Sequence, residues 1–420
     1  MLNKYKIKLI YFWIRSILNY YNHKKVIKRI KNKGKVKVAF FVFMESMWKY
    51  DELYHIMEQD NRFETLIVIC PHYKGSMQLT MQKMDRAYDY FSSKGYNVIK
   101  TYDKNSKTFL DVKKVVKPDI VFFTIPGYIT NKEYLIENFA DILTVYVSYS
   151  YRNSYKNEAD YNRPNFQLLW RYFQETQVHK ELATIHSFNR GKNCYVTGFP
   201  GLDKFFQHET KAPDVFKFKD KNLKKIIWAP HHSLPGMGSQ LNFATFLKFA
   251  NIMTEVVKNY EKYIQIIFKP HPMLWEKLSR NHVWGKEKTE EYYQFWDTIP
   301  NGQLWEGEYT DLFLSSDGMI HDCASFITEY LCVNKPVMYI MNDDHISDRL
   351  NKVGKIAFQS HYHATSKKDI ETFIEDVIIG ENDYKKEERT CVKNSVLKPP
   401  NNKTASQNIY QHIVINVFNE

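Results

Sequence analysis

The stretch Gly318 to Ile340 reads GMIHDCASFITEYLCVNKPVMYI, and its pattern decides the fold class. A short apolar run meets the polar cluster 321–325, and a helix-like segment follows over 326–333. Lys335-Pro336 ends that segment, and a second apolar run begins at Val337. This order of strand, polar turn, helix and strand is typical of a parallel βαβ unit. In such a unit the polar turn lies at a helix amino terminus, where free backbone N–H groups favour an anion such as phosphate.

The same alternation of strand-length and helix-length segments continues over most of the chain, which predicts an α/β fold with parallel sheets. The chain has 420 residues, so two or three domains are expected. A segment rich in Lys and Phe, without clear periodicity, separates two runs of alternation and is interpreted as a linker. The predicted divisions are a basic amphipathic helix (1–35), an amino-terminal domain (36–205), the linker (206–224) and a carboxy-terminal domain (225–420).

Composition narrows the class of protein. Aromatic residues make up 16% of the chain, which argues against extended disorder. The formal net charge of +12 attracts phosphorylated substrates, anionic membranes or nucleic acid without choosing among them. The five cysteines form no C-x-x-C pair, which argues against a zinc site or a disulfide framework and favours a reducing cytoplasm. No apolar run reaches the ~18–20 residues of a membrane span.

Residues 4–33 predict a basic helix that carries apolar and aromatic residues at helical spacing. Such a helix can lie on an anionic bilayer surface. The alternative is a helix that packs on the next domain and keeps its lysines in water. A signal peptide is rejected because the apolar block is short, is interrupted by Arg15 and lacks a small-residue cleavage site.

Polar clusters follow three predicted strands of the second half. They are His231-His232-Ser233, Lys269-Pro270-His271 and Asp322 to Ser325. Because the carboxyl ends of parallel strands meet at one sheet edge, these groups should converge on one crevice. Imidazoles, an ammonium group and a helix amino terminus suit a nucleotide diphosphate, with no metal or cofactor required. Glu329, one helical turn beyond Ser325, could reach the ribose hydroxyls.

Each of these residues also has a purely structural interpretation. A single histidine after a strand is more often a structural residue than a catalytic one, and Asp322 could simply cap the helix. Ser325 could bond only within its turn, and Glu329 could face solvent. The recurrence of such groups at successive strand ends favours the functional interpretation. Asn342-Asp343-Asp344 offers two neighbouring carboxylates. No third metal ligand is evident, so no metal site is predicted there.

The segments IIWAPHHS, IIFKPHP and SDGMIHDCASFITEYLCVNKPVMYI, in this order and spacing, resemble the carboxy-terminal half of the CDP-glycerol glycerophosphotransferase family of teichoic-acid polymerases and primases. VTGFPGLD, residues 196–203, resembles the family's glycine-proline turn that ends in Asp. The resemblance covers roughly residues 195–345 well and the amino-terminal half only loosely.

The resemblance implies a GT-B fold, in which two Rossmann-like domains face each other across a cleft. It implies transfer of a polyol phosphate, usually glycerol phosphate, from a CDP-linked donor to a hydroxyl acceptor, with CMP leaving. It carries over His271 as a diphosphate contact, Asp322 and Ser325 as the phosphate-binding turn, and Glu329 as the acidic position. His232, Ser233 and Lys269 complete the expected substrate-binding set.

Two positions depart from the family pattern. The amino-terminal Trp-His-Gly motif, whose histidine is the presumed base, has no match, and the equivalent strand end is Val147 to Ser150. The family's Pro-Thr-x-Arg is replaced by Pro230-His231-His232-Ser233. The catalytic base is therefore open between His231 and Glu45, the latter following the first predicted strand.

The resulting hypothesis is a cytoplasmic transferase, peripheral at the inner face of the cell membrane, that builds teichoic acid or a capsule-like polymer on a lipid-linked or polymeric acceptor. Nucleic acid is not an expected partner. The nearest alternative is a GT-B glycosyltransferase that uses a nucleotide sugar in capsule or lipopolysaccharide synthesis. An alternative of another class is a non-enzymatic basic protein that binds membrane or nucleic acid.

Overall fold

A computed structural model describes residues 4–72, 76–103, 106–127, 130–155, 161–207, 213–219, 222–236 and 242–418. The chain forms two compact units. The first unit comprises residues 1–151, 156–203 and 399–420, and the second comprises residues 152–155 and 204–398. Residues 156–160 and parts of the predicted linker (208–212 and 220–221) lie outside the described residues.

Within its described residues, the first unit contains a seven-stranded parallel sheet in the order β3-β2-β1-β6-β7-β8-β9, and a separate small hairpin formed by β4 and β5. The strands are β1 (Val36–Val42), β2 (Phe63–Ile69), β3 (Val98–Lys100), β4 (Tyr102–Asp103), β5 (Thr108–Phe109), β6 (Ile120–Phe123), β7 (Leu143–Val147), β8 (Arg171–Gln174) and β9 (Cys194–Val196). The helices that belong to this unit are α1 (Lys4–Lys31), α2 (Asp51–Gln59), α3 (Met77–Ser93), α4 (Val112–Val115), α5 (Gln177–His186) and α15 (Ala405–Phe418).

Within its described residues, the second unit contains a six-stranded parallel sheet in the order β12-β11-β10-β13-β14-β15. The strands are β10 (Lys224–Ala229), β11 (Ile264–Phe268), β12 (Gly302–Leu304), β13 (Gly318–His321), β14 (Val337–Ile340) and β15 (Tyr362–Ala364). The helices are α7 (Phe246–Asn259), α8 (Leu274–Leu278), α9 (Lys286–Thr298), α10 (Thr310–Ser315), α11 (Phe326–Glu329), α12 (Lys352–Gln359), α13 (Lys367–Thr372) and α14 (Lys386–Val392), with π-helical turns at Phe373–Ile379 and Lys393–Leu397. Helix α6 (Asp203–Phe206) contains the boundary between the units.

Both sheets have the strand order of a doubly wound Rossmann fold, in which the direction of winding reverses once. The reversal lies between β1 and β6 in the first unit and between β10 and β13 in the second. Ligands of such sheets bind outside the carboxyl ends of the strands at this reversal. The fold therefore places a candidate crevice at the ends of β10 and β13, where the opening stretch of sequence lies.

The central strands of the second unit are mainly apolar, as expected for a parallel sheet covered by helices on both faces. Every residue of β11, β13 and β14 is buried. On one face, Trp228 stacks on Phe246 and Phe268 with ring centroids 5.7 and 5.0 Å apart, and Trp296 packs against the same cluster. This rigid aromatic layer supports the strand ends that carry the polar clusters.

Helix α1 is apolar on two opposite faces. Its buried face packs on the first unit through Leu9, Phe12, Val26 and Ile30, with Asn19 donating to the Leu168 carbonyl over 3.3 Å. The opposite face is exposed, and its large apolar and aromatic side chains are Ile7, Tyr11, Ile14, Ile17, Leu18 and Tyr21. No described helix is both long enough and apolar enough to cross a membrane.

The last helix, α15, packs in the first unit, whereas the sequence-based division placed residues 399–420 in the carboxy-terminal domain. Asp203 explains this return, because its carboxylate accepts the backbone N–H groups of Ala405 and Ser406 over 2.7 and 2.9 Å. Burial raises the pKa of Asp203 to about 7. Gly198 lies close to the incoming chain with φ +94°, and a Cβ there would lie 2.8 Å from Pro399 Cβ. The glycine-proline turn over 196–203 is thus the surface on which the returning carboxy-terminal segment packs.

The predicted linker also differs from its described structure. Residues 213–219 belong to the second unit and pack at the edge of its sheet, where the Lys217 N–H donates to Gln303 over 2.8 Å and Phe216 is buried. Residues 152–155 form a second unexpected part of this unit, although they follow a strand of the first.

Helix α15 offers a matched test of its packing. Ile413 is fully buried and Ile415 is 47% exposed on the same helix. We expect Ile413→Ala to lower the free energy of unfolding by about 2–5 kcal/mol, since it leaves a cavity, and Ile415→Ala to change it by less than ~1 kcal/mol. Urea denaturation of both variants measures this, and equal effects would contradict the placement of α15.

Candidate active site

The polar clusters predicted from the sequence lie at the ends of three adjacent strands in the second unit. Trp228 of β10 is aligned with Phe268 of β11, and Ala229 of β10 is aligned with His321 of β13. The residues that follow these strand ends therefore leave the sheet at the same level. Their backbones turn into loops at the reversal point of the sheet, which is where the fold predicts a ligand.

Three histidines from two of these loops form a compact cluster. The ring centroids of His231 and His232 are 4.4 Å apart, those of His232 and His271 are 4.1 Å apart, and those of His231 and His271 are 5.2 Å apart. One nitrogen from each ring lies within 4.8 Å of the other two. All three side chains are partly buried. The sequence predicted their convergence, and the structure brings them together.

The surroundings of His231 determine which of its nitrogens carries the proton. Its Nδ1 accepts the backbone N–H of Ser233 and lies 2.8 Å from the Ser233 hydroxyl. That hydroxyl oxygen already accepts the backbone N–H groups of Phe243 and Ala244, so its own hydrogen points to Nδ1. Neutral His231 therefore carries its proton on Nε2.

His271 and His232 have the same arrangement. Nδ1 of His271 accepts the backbone N–H of Met273 over 3.1 Å. Nδ1 of His232 lies 3.0 Å from the Lys277 ammonium, which also donates to the His232 carbonyl over 2.9 Å. Each Nδ1 is thus occupied by a donor, which leaves the proton on Nε2.

Burial and neighbouring basic groups favour the neutral forms of His231 and His271. Burial, then the charges of His232, Lys269 and Lys277, lower the pKa of His271 to about 3. Burial, then the neighbouring His271 and His232, hold the pKa of His231 well below its usual value. Neutral imidazoles donate hydrogen bonds without the full desolvation cost of a buried cation. An incoming anion would restore part of their basicity, because opposite charge raises the pKa of an imidazole.

The tautomers distinguish between an anion and a metal as the ligand of this cluster. Three imidazoles at this spacing could hold a divalent ion if each offered a lone pair. A neutral imidazole whose Nδ1 accepts a hydrogen bond has its lone pair engaged there and an N–H at Nε2. The cluster therefore presents three N–H donors, which suit phosphate oxygens.

Asp322 organises the loops around the cluster. Its Oδ1 accepts the backbone N–H of His231 over 2.5 Å, and its Oδ2 accepts the N–H and hydroxyl of Thr245 over 2.5 and 2.8 Å. The side chain is buried, which raises the pKa of Asp322 to about 7. The expected contact of this carboxylate with phosphate is not its role in the structure, because it is enclosed and faces protein donors. Asp322 neither caps α11 nor faces the crevice, but positions His231.

The turn that follows Asp322 is held by a residue from a distant part of the chain. The Asn153 side-chain amide donates to the carbonyl of Ala324 over 2.7 Å and to the Thr328 hydroxyl over 3.0 Å. The backbone carbonyl of Asn153 accepts the N–H of Asn351. Ser325 occupies the amino-terminal cap position of α11, but its partly exposed side chain makes no capping hydrogen bond.

Lys269 and Glu329 are both buried and bonded to protein groups. The Lys269 ammonium is largely buried and donates to the carbonyl of Gly307 over 2.8 Å. Glu329 is buried rather than facing solvent, and it is hydrogen-bonded to Tyr309. Burial and the Glu329 carboxylate hold the pKa of the Tyr309 phenol well above its usual value.

The remaining sequence candidates have other partners. Glu45 lies in the first unit, immediately after β1, and its carboxylate contacts Arg86 over 2.7 Å. Asp343 pairs with Arg349 over 2.6 Å, so one of the carboxylates considered for a metal is used by a guanidinium. The sequence did not indicate Lys277, Thr245 or Asn153, because the hydrogen bonds that place them at the site join residues far apart in the chain.

Comparison with known proteins identifies a family for the chain. A family model described as CDP-glycerol:poly(glycerophosphate) glycerophosphotransferase matches residues 152–415. That range begins at the segment that contains Asn153 and includes the whole histidine cluster. No protein of curated function shows significant sequence similarity to the chain.

Solved structures share the fold at low identity. A variant of the wall teichoic acid polymerase TagF has a TM-score of 0.56 and 13% identity, with 99% of this chain and 98% of that chain covered. MnaA from S. aureus, solved with UDP, has a TM-score of 0.53 and 17% identity over 92% of this chain and 98% of that chain. A UDP-GlcNAc 2-epimerase from Neisseria meningitidis, bound to UDP-GlcNAc, has a TM-score of 0.51 and 12% identity over 92% and 100%. These similarities confirm two Rossmann-like units of the GT-B class.

Replacing Asp322 tests its organising role. In Asp322→Asn an amide NH₂ would face a backbone N–H, so we expect a loss of about 1–3 kcal/mol in the free energy of unfolding. Asp317→Asn is the matched control, since Asp317 accepts the Lys225 N–H at the other end of β13 but is exposed. Thermal melting compares the two variants, and equal stability losses would contradict this role for Asp322.

Proposed function

Because the chain belongs to the CDP-glycerol:poly(glycerophosphate) glycerophosphotransferase family, we propose that it transfers glycerol phosphate from CDP-glycerol to a hydroxyl acceptor of a cell-surface polymer. The chain is a transferase of this family. The donor, the transferred group and the acceptor are parts of the proposal. TagF, which shares the fold, has been soaked with CDPG, and this supports a CDP-linked donor.

The observation that carries the proposal is the donor character of the histidine cluster. The three histidine rings lie together at the sheet reversal, with one nitrogen of each within 4.8 Å of the other two, and two ammonium groups, Lys269 and Lys277, lie nearby. A nucleotide diphosphate places negative charge there, and more of that charge moves to the leaving CMP as the bond to it breaks. Preorganised donors that face this growing charge stabilise the transition state.

The proposed reaction is a displacement at phosphorus. The acceptor hydroxyl oxygen attacks the phosphorus that carries glycerol, the bond between the two donor phosphates breaks, and CMP leaves with the electron pair. The hydroxyl proton passes to a base. His271, His232 and His231 would hold the diphosphate, and Ser325 would contact it at the turn. Glu329, oriented by Tyr309, would hold the ribose hydroxyls.

The proposed base is Glu45. His231 was the other candidate, but its Nδ1 is occupied by Ser233 and its Nε2 carries a proton, so the neutral ring has no nitrogen ready to accept another. Glu45 follows β1 at the reversal of the first sheet, where the acceptor is expected to bind. Its carboxylate would need to exchange Arg86 for the acceptor hydroxyl.

The proposal also includes contact with the inner membrane surface. The exposed face of α1 carries apolar and aromatic side chains, and its last turns carry Lys24, Lys25, Lys28 and Arg29. Apolar residues that enter the interface and basic residues that attract anionic headgroups are the two requirements of a surface-bound helix. Such contact would keep the enzyme close to a lipid-linked acceptor.

A donor panel tests the reaction. Purified protein is offered CDP-glycerol, CDP-ribitol and nucleotide sugars with a hydroxyl acceptor, and we expect CMP release from CDP-glycerol. UDP or GDP release without CMP would instead support the nucleotide-sugar alternative.

We expect His271→Ala to lower turnover by about 30- to 1000-fold, since a single preorganised donor contributes about 2–4 kcal/mol. The control is His345→Ala, because His345 is an exposed histidine of the same unit.

Two further experiments test the proposed base and the absence of a metal at the histidine cluster. Glu45→Gln should abolish most turnover while leaving CDP-glycerol binding unchanged, as expected for a base rather than a donor contact. Treatment with EDTA should leave turnover intact, since imidazole N–H groups rather than a metal hold the diphosphate. Loss of turnover in EDTA that Mg²⁺ or Zn²⁺ restores would overturn this assignment of the cluster.

Substitutions on α1 test the membrane contact. Ile14→Ser and Leu18→Ser remove exposed apolar side chains, so they should weaken binding to phosphatidylglycerol vesicles without lowering thermal stability. Val115→Ser is the control, because Val115 is an exposed apolar residue of the first unit away from α1. Vesicle sedimentation measures binding, and unchanged sedimentation of both helix variants would refute the contact.

A further inference from the structure

A turn between α5 and β9 exposes large apolar side chains. Ile185 is 72% exposed and Phe188 is 44% exposed, although both belong to a well-packed part of the first unit. Arg190 and Lys192 follow on the same turn and are also exposed. This cluster of exposed apolar and basic residues contains none of the residues to which the proposed chemistry gives a role, and such patches usually mark binding surfaces.

Buried polar groups hold this turn in one conformation. The Ser187 hydroxyl donates to the Ala183 carbonyl and accepts the Gly191 N–H over 2.8 Å. The Phe188 N–H donates to the Asn162 side chain over 2.9 Å. Gly191 has φ +62°, and a Cβ there would lie 3.2 Å from a backbone nitrogen of α5. Phe188 is therefore presented outward by a fixed backbone, which lowers the entropy cost of binding.

The turn and helix α1 enclose a groove. Ile10 and Trp13 of α1 form one wall, and Phe188 forms the other, with the Trp13 and Phe188 rings edge to face at 6.1 Å. The groove encloses about 600 Å³, a volume within the usual range of small-ligand sites. Its lining is mainly apolar, and Arg190 and Lys192 lie at its edge.

The charges at the edge favour an anionic headgroup. Within the described residues, neither the Arg190 guanidinium nor the Lys192 ammonium pairs with a carboxylate. An apolar channel with two cations at its edge complements an acyl chain that ends in a phosphate. The groove also adjoins the exposed apolar face of α1, on which Ile14 and Ile17 lie.

We propose that this groove binds an acyl chain of an anionic membrane phospholipid, with the phosphate held by Arg190 and Lys192. The inference rests on the membrane contact in the proposed function and adds a second element to it. Helix α1 and the 185–192 turn would together form the membrane-binding surface. The turn would then fix how the first unit is oriented on the bilayer, because two separate elements define a plane better than one helix.

Tryptophan quenching tests the groove directly. The full-length protein is mixed with phosphatidylglycerol vesicles whose acyl chains carry bromine, a short-range quencher of indole fluorescence. We expect quenching that is absent in Trp13→Phe and reduced in Phe188→Ser. Quenching that persists in Trp13→Phe, or is unchanged in Phe188→Ser, would overturn the proposal.

Charge reversal tests the headgroup contact. In vesicle sedimentation, Arg190→Glu and Lys192→Glu should each weaken binding to phosphatidylglycerol by at least about fivefold, the usual contribution of one basic residue near an anionic surface. Neither should alter the weaker binding to phosphatidylcholine. The matched control is Lys117→Glu with Val115→Ser, a basic and apolar pair elsewhere on the first unit. Wild-type binding by both turn variants, or equal weakening by the control, would refute the proposal.

The result of the lipid-binding tests can be told apart from the result of the CDP-glycerol turnover test. Turn variants should retain CDP-glycerol turnover with a soluble acceptor, since none of these residues lies in the donor unit. Loss of vesicle binding with intact turnover supports the groove. Failure of the wild-type protein to turn over CDP-glycerol would reject the proposed reaction while leaving the lipid measurements valid. Circular dichroism and thermal melting confirm that each variant is folded.

Discussion

The buried carboxylate of Asp322 is the interaction on which the candidate site of the second unit depends. One side chain accepts hydrogen bonds from the loop after β10 and from the start of α7 while it lies at the end of β13. Burying a carboxylate is costly unless its oxygens are satisfied, so the three loops are coupled. His231 takes its position from this coupling, because its own backbone N–H is one of the donors.

The histidine cluster shows how the chain departs from its family while keeping a related chemistry. Where the family has Pro-Thr-x-Arg, this chain has Pro230-His231-His232-Ser233. A guanidinium would offer permanent charge, whereas the imidazoles offer neutral N–H groups whose tautomer is set by Ser233, Lys277 and a backbone N–H. Neutral donors bind an anion less strongly than a guanidinium does, but burying them costs less than burying a cation.

In the first unit, helix α1 has apolar side chains on two opposite faces. The buried face of α1 packs on the unit through Leu9, Phe12, Val26 and Ile30. The opposite face is also apolar, so the packing alternative considered from the sequence and the membrane hypothesis are compatible. A helix that is apolar on both sides needs a partner on each. The 185–192 turn extends the outer surface, and that extension leads to the proposed lipid site.

Local patterns in the sequence were sufficient for the fold class and for placing the candidate residues at strand ends. Apolar runs of strand length and the polar residues that follow them are contiguous in the chain, so His231, His271 and Asp322 could be placed at strand ends in advance. The roles of these residues could not be predicted in the same way, because their burial, their tautomers and their hydrogen-bond partners depend on distant segments. The contacts of Asn153 and the return of α15 to the first unit could not be predicted either, since each depends on contacts between residues more than 100 positions apart. The opening stretch predicts an anion site, and only the tertiary structure shows that its buried carboxylate is bonded to the backbones of the neighbouring loops, because those partners lie far away in the chain.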